Sequence, residues 1–229
     1  MLIISPGISS EIDIVRRAIN KNIPILGEIE FASWFTKSDI LAITGSNGKS
    51  TACMMLHNML LESGINSLLG GNIGTAFSEN LLKEIDLNLK DCVHVLELSS
   101  FQIETLGKFH SKIACILNIS EDHLDRYKDM NAYVSAKLKI IDFTDKLIYD
   151  FNDPILNERL KNISNSYKLN HKNSKYKIFD DSIYNNDNLM FSLSDTNFIG
   201  KHNLLNALNA LSIASLYGVG DEDIVNSIK

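Results

Sequence analysis

The residues with the clearest chemistry lie in LAITGSNGKST, Leu41 to Thr51. A strand pattern over Ile40 to Thr44 meets a glycine turn and then a helix start, an order suited to holding an anion. Gly45 and Gly48 carry no Cβ, so the backbone can approach a phosphate closely. The unpaired N–H groups of the helix start would point at its oxygens. Lys49 can bring a point charge to the β- and γ-phosphates, and the Ser50 hydroxyl can ligate Mg²⁺. Gly45, Ser46, Asn47, Gly48, Lys49, Ser50 and Thr51 therefore form the candidate nucleotide cradle. The general pattern G-x-x-x-x-G-K-[ST] would put glycine at position 43, where this chain has Ile43. The loop is a variant, and an ordinary strand–turn–helix junction is the competing reading.

Four further places carry groups that chemistry could use. Glu97 closes the apolar strand of VLELSS and would be a hard oxygen ligand for Mg²⁺; a strand-end glutamate in solvent is the alternative. NISEDHLDR packs Glu121, Asp122, His123, Asp125 and Arg126 together. It reads either as a solvated charge run or as His123 ligating a metal with acidic neighbours orienting it. Lys137 lies in SAKLKI, where a helix-surface lysine is the default. Asn203 and Asn206 stand three apart near a helix start and share a face. Two amides there can read the edge of an adenine, or Asn203 can cap the helix.

The elements that must position these groups alternate regularly. Expected strands are Leu2 to Ser5, Ile23 to Leu26, Ile40 to Thr44, Ile65 to Leu69, Val93 to Leu98, Lys112 to Leu117 and Leu147 to Tyr149. Expected helices are a first one capped by Ser9 or Ser10 and running to Asn20, then Glu28 to Phe35, Ser50 to Ser63, Thr75 to Lys83 and Asn131 to Ile141. Met54, Met55 and Met59 read as core packing. A second glycine-rich loop, GGNIG, Gly70 to Gly74, ends a strand. This order predicts an α/β fold of the phosphate-loop type, a mostly parallel sheet with helices on both faces. Its polar loops gather at the carboxyl ends of the strands, where such sheets bind ligands. Between Asp150 and Asn197 the composition turns polar, and short strands at Tyr176 to Phe179 and Leu189 to Leu193 suggest a small antiparallel lobe. A long helix over Gly200 to Gly218 and a last one over Asp221 to Ile228 follow. Residues 1–36 are too short for a domain. They form either the edge of the main sheet or the tail of another domain, with residues 37–229 as the nucleotide-binding domain.

Composition sets outer bounds. The chain has 229 residues, 45% of them apolar and 22% charged, which suits a globular protein with a full core. A net charge of −6 argues against a general nucleic-acid binder. No apolar run approaches the roughly 18 residues of a membrane span, and MLIISPG is not a secretory signal. Cys53, Cys92 and Cys115 are odd in number and widely spaced, so buried thiols in a cytoplasmic protein are expected.

As a set, GSNGKST, GGNIG, LELSSFQIE, ILNISEDHLDRY, AKLKI and GKHNLLNA resemble the Mur ligases, in the order seen in that family. LELSSFQ and GGNIG are most similar to the branch that joins D-glutamate to UDP-N-acetylmuramoyl-L-alanine. The resemblance implies ATP-dependent amide formation in peptidoglycan precursor synthesis. The γ-phosphoryl group goes to a carboxylate, and an amine attacks the acyl phosphate. It implies that Lys49 and Ser50 hold the phosphates and one Mg²⁺, with Glu97 on the same ion. His123 would bind a second Mg²⁺, Asn72 and Ser99 would contact the muramoyl substrate, and Asn203 and Asn206 would hold the adenine. The resemblance makes Lys49, His123 and Lys137 the expected catalytic set. Lys137 matches a lysine that the family carbamylates with CO₂. Only a neutral amine takes CO₂, and a free lysine of pKa ~10.4 is neutral in roughly one part in a few thousand at pH 7. A site that desolvates it beside a cation would favour the carbamate, whose oxygens can assist the second Mg²⁺.

Family members are considerably longer. The resemblance thus implies that Ser5-Pro6-Gly7 ends a first, uracil-gripping domain, and that a domain binding D-glutamate would follow Lys229. The chain is then a fragment or a reduced gene, with impaired ligation unless missing domains act in trans. Two other functions stay open: a non-catalytic ATP-binding module acting through a partner, and a folylpolyglutamate-type ligase, against which LELSSFQ speaks.

Overall fold

The computed structural model describes residues 1–8, 11–121, 126–196 and 200–228. Its first elements are β1 (Leu2–Ile4), α1 (Asp13–Asn20), β2 (Ile25–Gly27) and α2 (Glu28–Ser33). The body runs through β3 (Asp39–Thr44), α3 (Lys49–Glu62), β4 (Ser67–Gly71), α4 (Phe77–Asp86), β5 (Val93–Glu97), α5 (Ser100–Glu104), β6 (Ser111–Ile116) and α6 (Met130–Leu138). It continues with β7 (Thr144–Asp150), α7 (Pro154–Leu160) and β8 (Ser166–Leu169). Six of these strands form one parallel sheet in the order β4-β5-β3-β6-β7-β8. The chain ends with an antiparallel sheet of β9 (Tyr176–Phe179), β10 (Ser182–Asn185) and β11 (Asn188–Ser192), then α8 (Lys201–Tyr217) and α9 (Asp221–Asn226).

Strand β3 explains the layering. Successive side chains of a strand point to opposite faces. Leu41 and Ile43 join one buried cluster, and Ile40 and Ala42 join another. Both faces therefore need cover: α3, α8 and α9 supply one side, and α2, α4, α5, α6 and α7 the other. Helix α8 is buried continuously from Asn206 to Ala214, because it lies between the sheet, α3 and the antiparallel strands. The left-handed Gly218 (φ 118°) ends it.

Several expectations shift. β1 and β2 pair in parallel with each other in a sheet of their own, so the first segment is not an edge of the main sheet. The polar lobe does not begin at Asp150. Leu156 and Leu160 of α7 are fully buried, and β8 pairs with β7 as the edge of the main sheet; the lobe is β9 to β11. The edge strand's half-exposed, polar sequence concealed it. Met54 is not core: it is 52% exposed, opposite the buried Cys53, Leu56, Met59 and Leu60. Ser9 and Ser10 lie outside the described residues, and the residue at the cap of α1 is Ile12, with no side-chain hydrogen bond. Asn203 does not cap α8 either, since Gly200 stands at that position. The three cysteines are buried and unbridged, as their spacing suggested. No helix among the described residues is long and apolar enough to cross a membrane.

One buried carboxylate ties the first segment to the body. Glu30 of α2 is 1% exposed. Its oxygens accept from the backbone N–H groups of Gly107, Lys108 and Phe109 at 2.9, 2.7 and 2.9 Å, and from the Trp34 indole at 2.8 Å. Burial pushes its pKa up, but the backbone and indole donors outweigh that and leave it below the usual value. A lowered folded pKa stabilises above the unfolded value of ~4.3, and the benefit fades as pH falls through the folded one. Glu30→Ala should cost about 1–3 kcal/mol at pH 7, because it leaves the buried Phe109 N–H, and the part-buried N–H groups of Gly107 and Lys108, without their acceptor. In urea melts the variant's deficit should shrink steadily below about pH 4, and a deficit unchanged at low pH would refute this account.

Candidate functional site

The carboxyl ends of β3, β5 and β6 lie side by side in the middle of the sheet, and the phosphate-type loop rises from the central one. The backbone is stitched there by Leu98 N–H to Ile43 O and Leu117 N–H to Thr44 O, both 2.9 Å. The loop is then clasped by the segment after β6. Ser46 N–H donates to Asn118 O at 3.0 Å, Asn47 N–H to Asn118 Oδ1 at 2.9 Å, and Asn118 Nδ2 returns to Asn47 O at 3.0 Å. Ser46 Oγ lies 3.0 Å from both Ser120 O and the Tyr133 hydroxyl. Residues 45–48 thus take their shape from partners about seventy positions away.

Gly48 sits at the N-cap of α3 in the left-handed region, φ 84°, with no side-chain cap. A Cβ there would lie 2.2 Å from Asn206 Oδ1. Glycine is required twice over, by the turn and by the approach of α8. Asn206 therefore touches the loop itself, and Asn203, one turn earlier, accepts from Asn206 Nδ2 at 3.3 Å.

Two lysines converge on the same carbonyl. Lys49 Nζ donates to Gly45 O at 2.9 Å and Ser46 O at 2.8 Å, and Lys137 Nζ donates to Gly45 O at 2.9 Å. Lys137 is 2% exposed, with its nitrogen 4.7 Å from the centre of the Tyr133 ring. A lysine on a helix surface, the default reading of its local sequence, is thus excluded. Tyr133 precedes Lys137 by one helical turn and faces both it and Ser46; sequence reasoning passed it over, although its i, i+4 spacing from Lys137 was there to read.

The acidic partner is equally well placed. Glu97 is 3% exposed, not a strand end in solvent. One of its oxygens accepts from Ser50 Oγ at 2.7 Å and the other from Asn72 Nδ2 at 2.8 Å. Adjacent ligands of an octahedral Mg²⁺ with 2.0–2.1 Å bonds stand roughly 2.9 Å apart, so the Ser50 and Glu97 oxygens suit neighbouring positions on such an ion. Asn72 reaches Glu97 because β4 extends through Gly71, where a Cβ would lie 2.4 Å from Glu97 O. Ser99 caps α5 in a reciprocal capping box with Gln102. His123 lies outside the described residues, as do Asp122 and Asp125.

Residues 43–214 match the Mur ligase middle domain. The chain belongs to the Mur ligase family. It is 35% identical over 221 residues to the UDP-N-acetylmuramoylalanine–D-glutamate ligase of Pseudoalteromonas translucida, covering 96% of this chain and 49% of that protein. It is 36% identical over 238 residues to the ligase of the same name from Christiangramia forsetii, covering 98% and 52%. This Mur ligase chain thus spans about half the length of the curated relatives it matches. Among solved structures it superposes on the UDP-N-acetylmuramate:L-alanyl-gamma-D-glutamyl-meso-diaminopimelate ligase of Neisseria meningitides with a TM-score of 0.74 at 17% identity, covering 99% of this chain and 76% of that one. The fold is therefore that of the Mur ligases, as the motif set implied.

The loop geometry makes a discriminating prediction. Gly48 and Gly64 both have positive φ, but nothing lies within 4 Å of a Cβ at Gly64. Gly64→Ala should cost about 1 kcal/mol of stability and leave nucleotide affinity unchanged. Gly48→Ala should weaken binding of a fluorescent ATP analogue at least about tenfold, since it displaces Asn206 from the loop. Equal effects of the two substitutions on binding would contradict the assignment.

Proposed function

We propose that this chain is the ATP-binding core of a ligase that joins D-glutamate to UDP-N-acetylmuramoyl-L-alanine. The observation that carries the reading is the meeting of Lys49 and the buried Lys137 on the Gly45 carbonyl, beside the Ser50–Glu97 pair. The names of relatives at about 35% identity along nearly the whole chain supply the substrate class. On this reading residues 1–36 belong to a uracil-gripping domain and residues 37–229 to the central ATP-binding domain.

The residues have separate tasks. The N–H groups at the start of α3 bind the phosphates, with the helix dipole in their favour. Lys49 exchanges its two carbonyl partners for phosphate oxygens. Ser50 and Glu97 hold one Mg²⁺, and Asn72 fixes the second Glu97 oxygen so that the first keeps its direction. His123 and the Lys137 carbamate hold another. The ions supply charge stabilisation to the phosphoryl group as it moves. Asn203 and Asn206 hold the nucleoside, and Asn72 and Ser99 the muramoyl substrate. Carbamylation would join the Lys137 nitrogen to the carbon of CO₂, with the displaced proton passing to water. Ligation also demands D-glutamate in position and water excluded, so flanking domains are supplied in the test.

The test combines this chain with the flanking domains of a relative, ATP, Mg²⁺, UDP-N-acetylmuramoyl-L-alanine and labelled D-glutamate. The expected outcome is Mg²⁺-dependent amide product with stoichiometric phosphate. Lys137→Ala should retain ATP binding yet lose product by at least about a hundredfold, a cost of roughly 2.7 kcal/mol in the barrier. With ¹³C-bicarbonate the native chain should show a carbamate resonance that Lys137→Ala lacks. ATP binding without product under any condition would favour a non-catalytic module; folate-dependent turnover would favour the folylpolyglutamate-type reading.

A further inference from the structure

At the amino end of the same sheet, roughly 16 Å from the phosphate loop along β3, a second cluster of side chains has no part in that chemistry. Glu84 of α4, Cys92 just before β5 and His94 within β5 each present a donor atom, and the three atoms lie within 4.8 Å of one another. His94 Nε2 is 2.8 Å from Glu84 Oε2. Ser38 Oγ donates to Glu84 Oε1 at 2.7 Å and lies 3.1 Å from Cys92 Sγ, and Thr36 Oγ1 donates to Glu84 Oε2 at 2.8 Å. The imidazole is fully buried and held edge-on against Phe77, with ring centres 4.9 Å apart. On its outer side the cluster meets an opening of about 430 Å³, lined in part by Ser38, Glu84, Cys92, Lys90 and Tyr217.

The imidazole is frustrated as it stands. His94 Nδ1 is buried and has no hydrogen-bond partner among the described residues. A proton on Nε2 satisfies Glu84 and leaves a buried lone pair on Nδ1. A proton on Nδ1 strands a buried donor and turns the Nε2 lone pair on a carboxylate oxygen. Neither neutral tautomer pairs both ring nitrogens. A cation on Nε2 keeps the proton on Nδ1 and takes up the Nε2 lone pair that otherwise faces the Glu84 carboxylate; Nδ1–H remains the orphan.

We propose that Glu84, Cys92 and His94 form a binding site for a divalent transition cation, with zinc preferred. Imidazole, thiolate and carboxylate are the donors zinc takes in tetrahedral sites, at about 2.0–2.3 Å. Such ligands stand roughly 3.2–3.8 Å apart, so closing the present cluster needs side-chain movements of about 1 Å. Thiolate, carboxylate and a dication sum to zero charge, which suits a buried position. Water entering through the opening, or Ser38, supplies the fourth ligand. The site joins α4 to the start of β5 and would clamp the lower end of the sheet. It is independent of the ligase reading.

The test is titration of the full chain with Co²⁺, which reports thiolate ligation by a near-ultraviolet charge-transfer band. The expected result is one equivalent bound, tetrahedral visible bands, and bleaching by Zn²⁺. Cys92→Ser should abolish the charge-transfer band, and Glu84→Gln should weaken affinity at least about tenfold. Cys53→Ser and Cys115→Ser should leave the spectrum unchanged. Zn²⁺ should raise the melting temperature of the native chain, reversibly with chelator, and fail to do so for Cys92→Ser. Absence of the band in the native folded chain, or its survival in Cys92→Ser, would overturn the proposal.

Discussion

The carbonyl oxygen of Gly45 is the point on which the site depends. It accepts from Lys49, four positions along the chain, and from Lys137, ninety-two positions along it. Bringing two lysine nitrogens to one oxygen requires both a tight turn and a second helix packed over it. The turn is local, made by glycines and the start of α3. The packing of α6 is not local: it needs β6 beside β3, and the segment after β6 clasping the loop through Asn118 and Ser120. The sheet order can be understood as the frame that keeps these partners in register.

The same frame separates polar groups by function. At the carboxyl edge, hydroxyl, amide, carboxylate and lysine groups face one another across strand ends, where backbone groups are free to meet a ligand. Between the edges the interior is nearly all aliphatic, and Leu41, Ile43, Val93 and Val95 seal it. At the amino edge a second polar set gathers, Ser38, Glu84, Cys92 and the buried His94. Residues three apart on one strand, His94 and Glu97 of β5, thereby serve opposite ends of the sheet. Glu30 gives a further example: its buried carboxylate replaces a helix or strand partner for the N–H groups of Gly107 to Phe109.

Much of the candidate site's glycine turn was legible in the chain because it carries local signals. An apolar strand, a glycine turn and a lysine–serine helix start mark the place through local sterics, although the loop's final shape also rests on Asn118 and Ser120. The alternating β and α patterns likewise gave a parallel, doubly covered sheet, since buried strands must be apolar on both faces. What escaped reading was set by distant partners. The edge strand β8 looked like lobe, because an edge strand exposes one face and carries polar residues. Met54 looked like core, because its position around α3 depends on where the sheet lies.

The sequence by itself thus determined the order of elements, the place of the glycine turn that we propose binds phosphate, and the family to which its motifs belong. Tertiary structure alone decided that Lys137 is buried against Gly45, that Asn206 touches Gly48, that Asn72 steers Glu97, and that the donor atoms of Glu84, Cys92 and His94 lie together. The reason is physical. Local propensity acts over a few residues, whereas these contacts exist only once strands far apart in the chain have paired and drawn their end loops together.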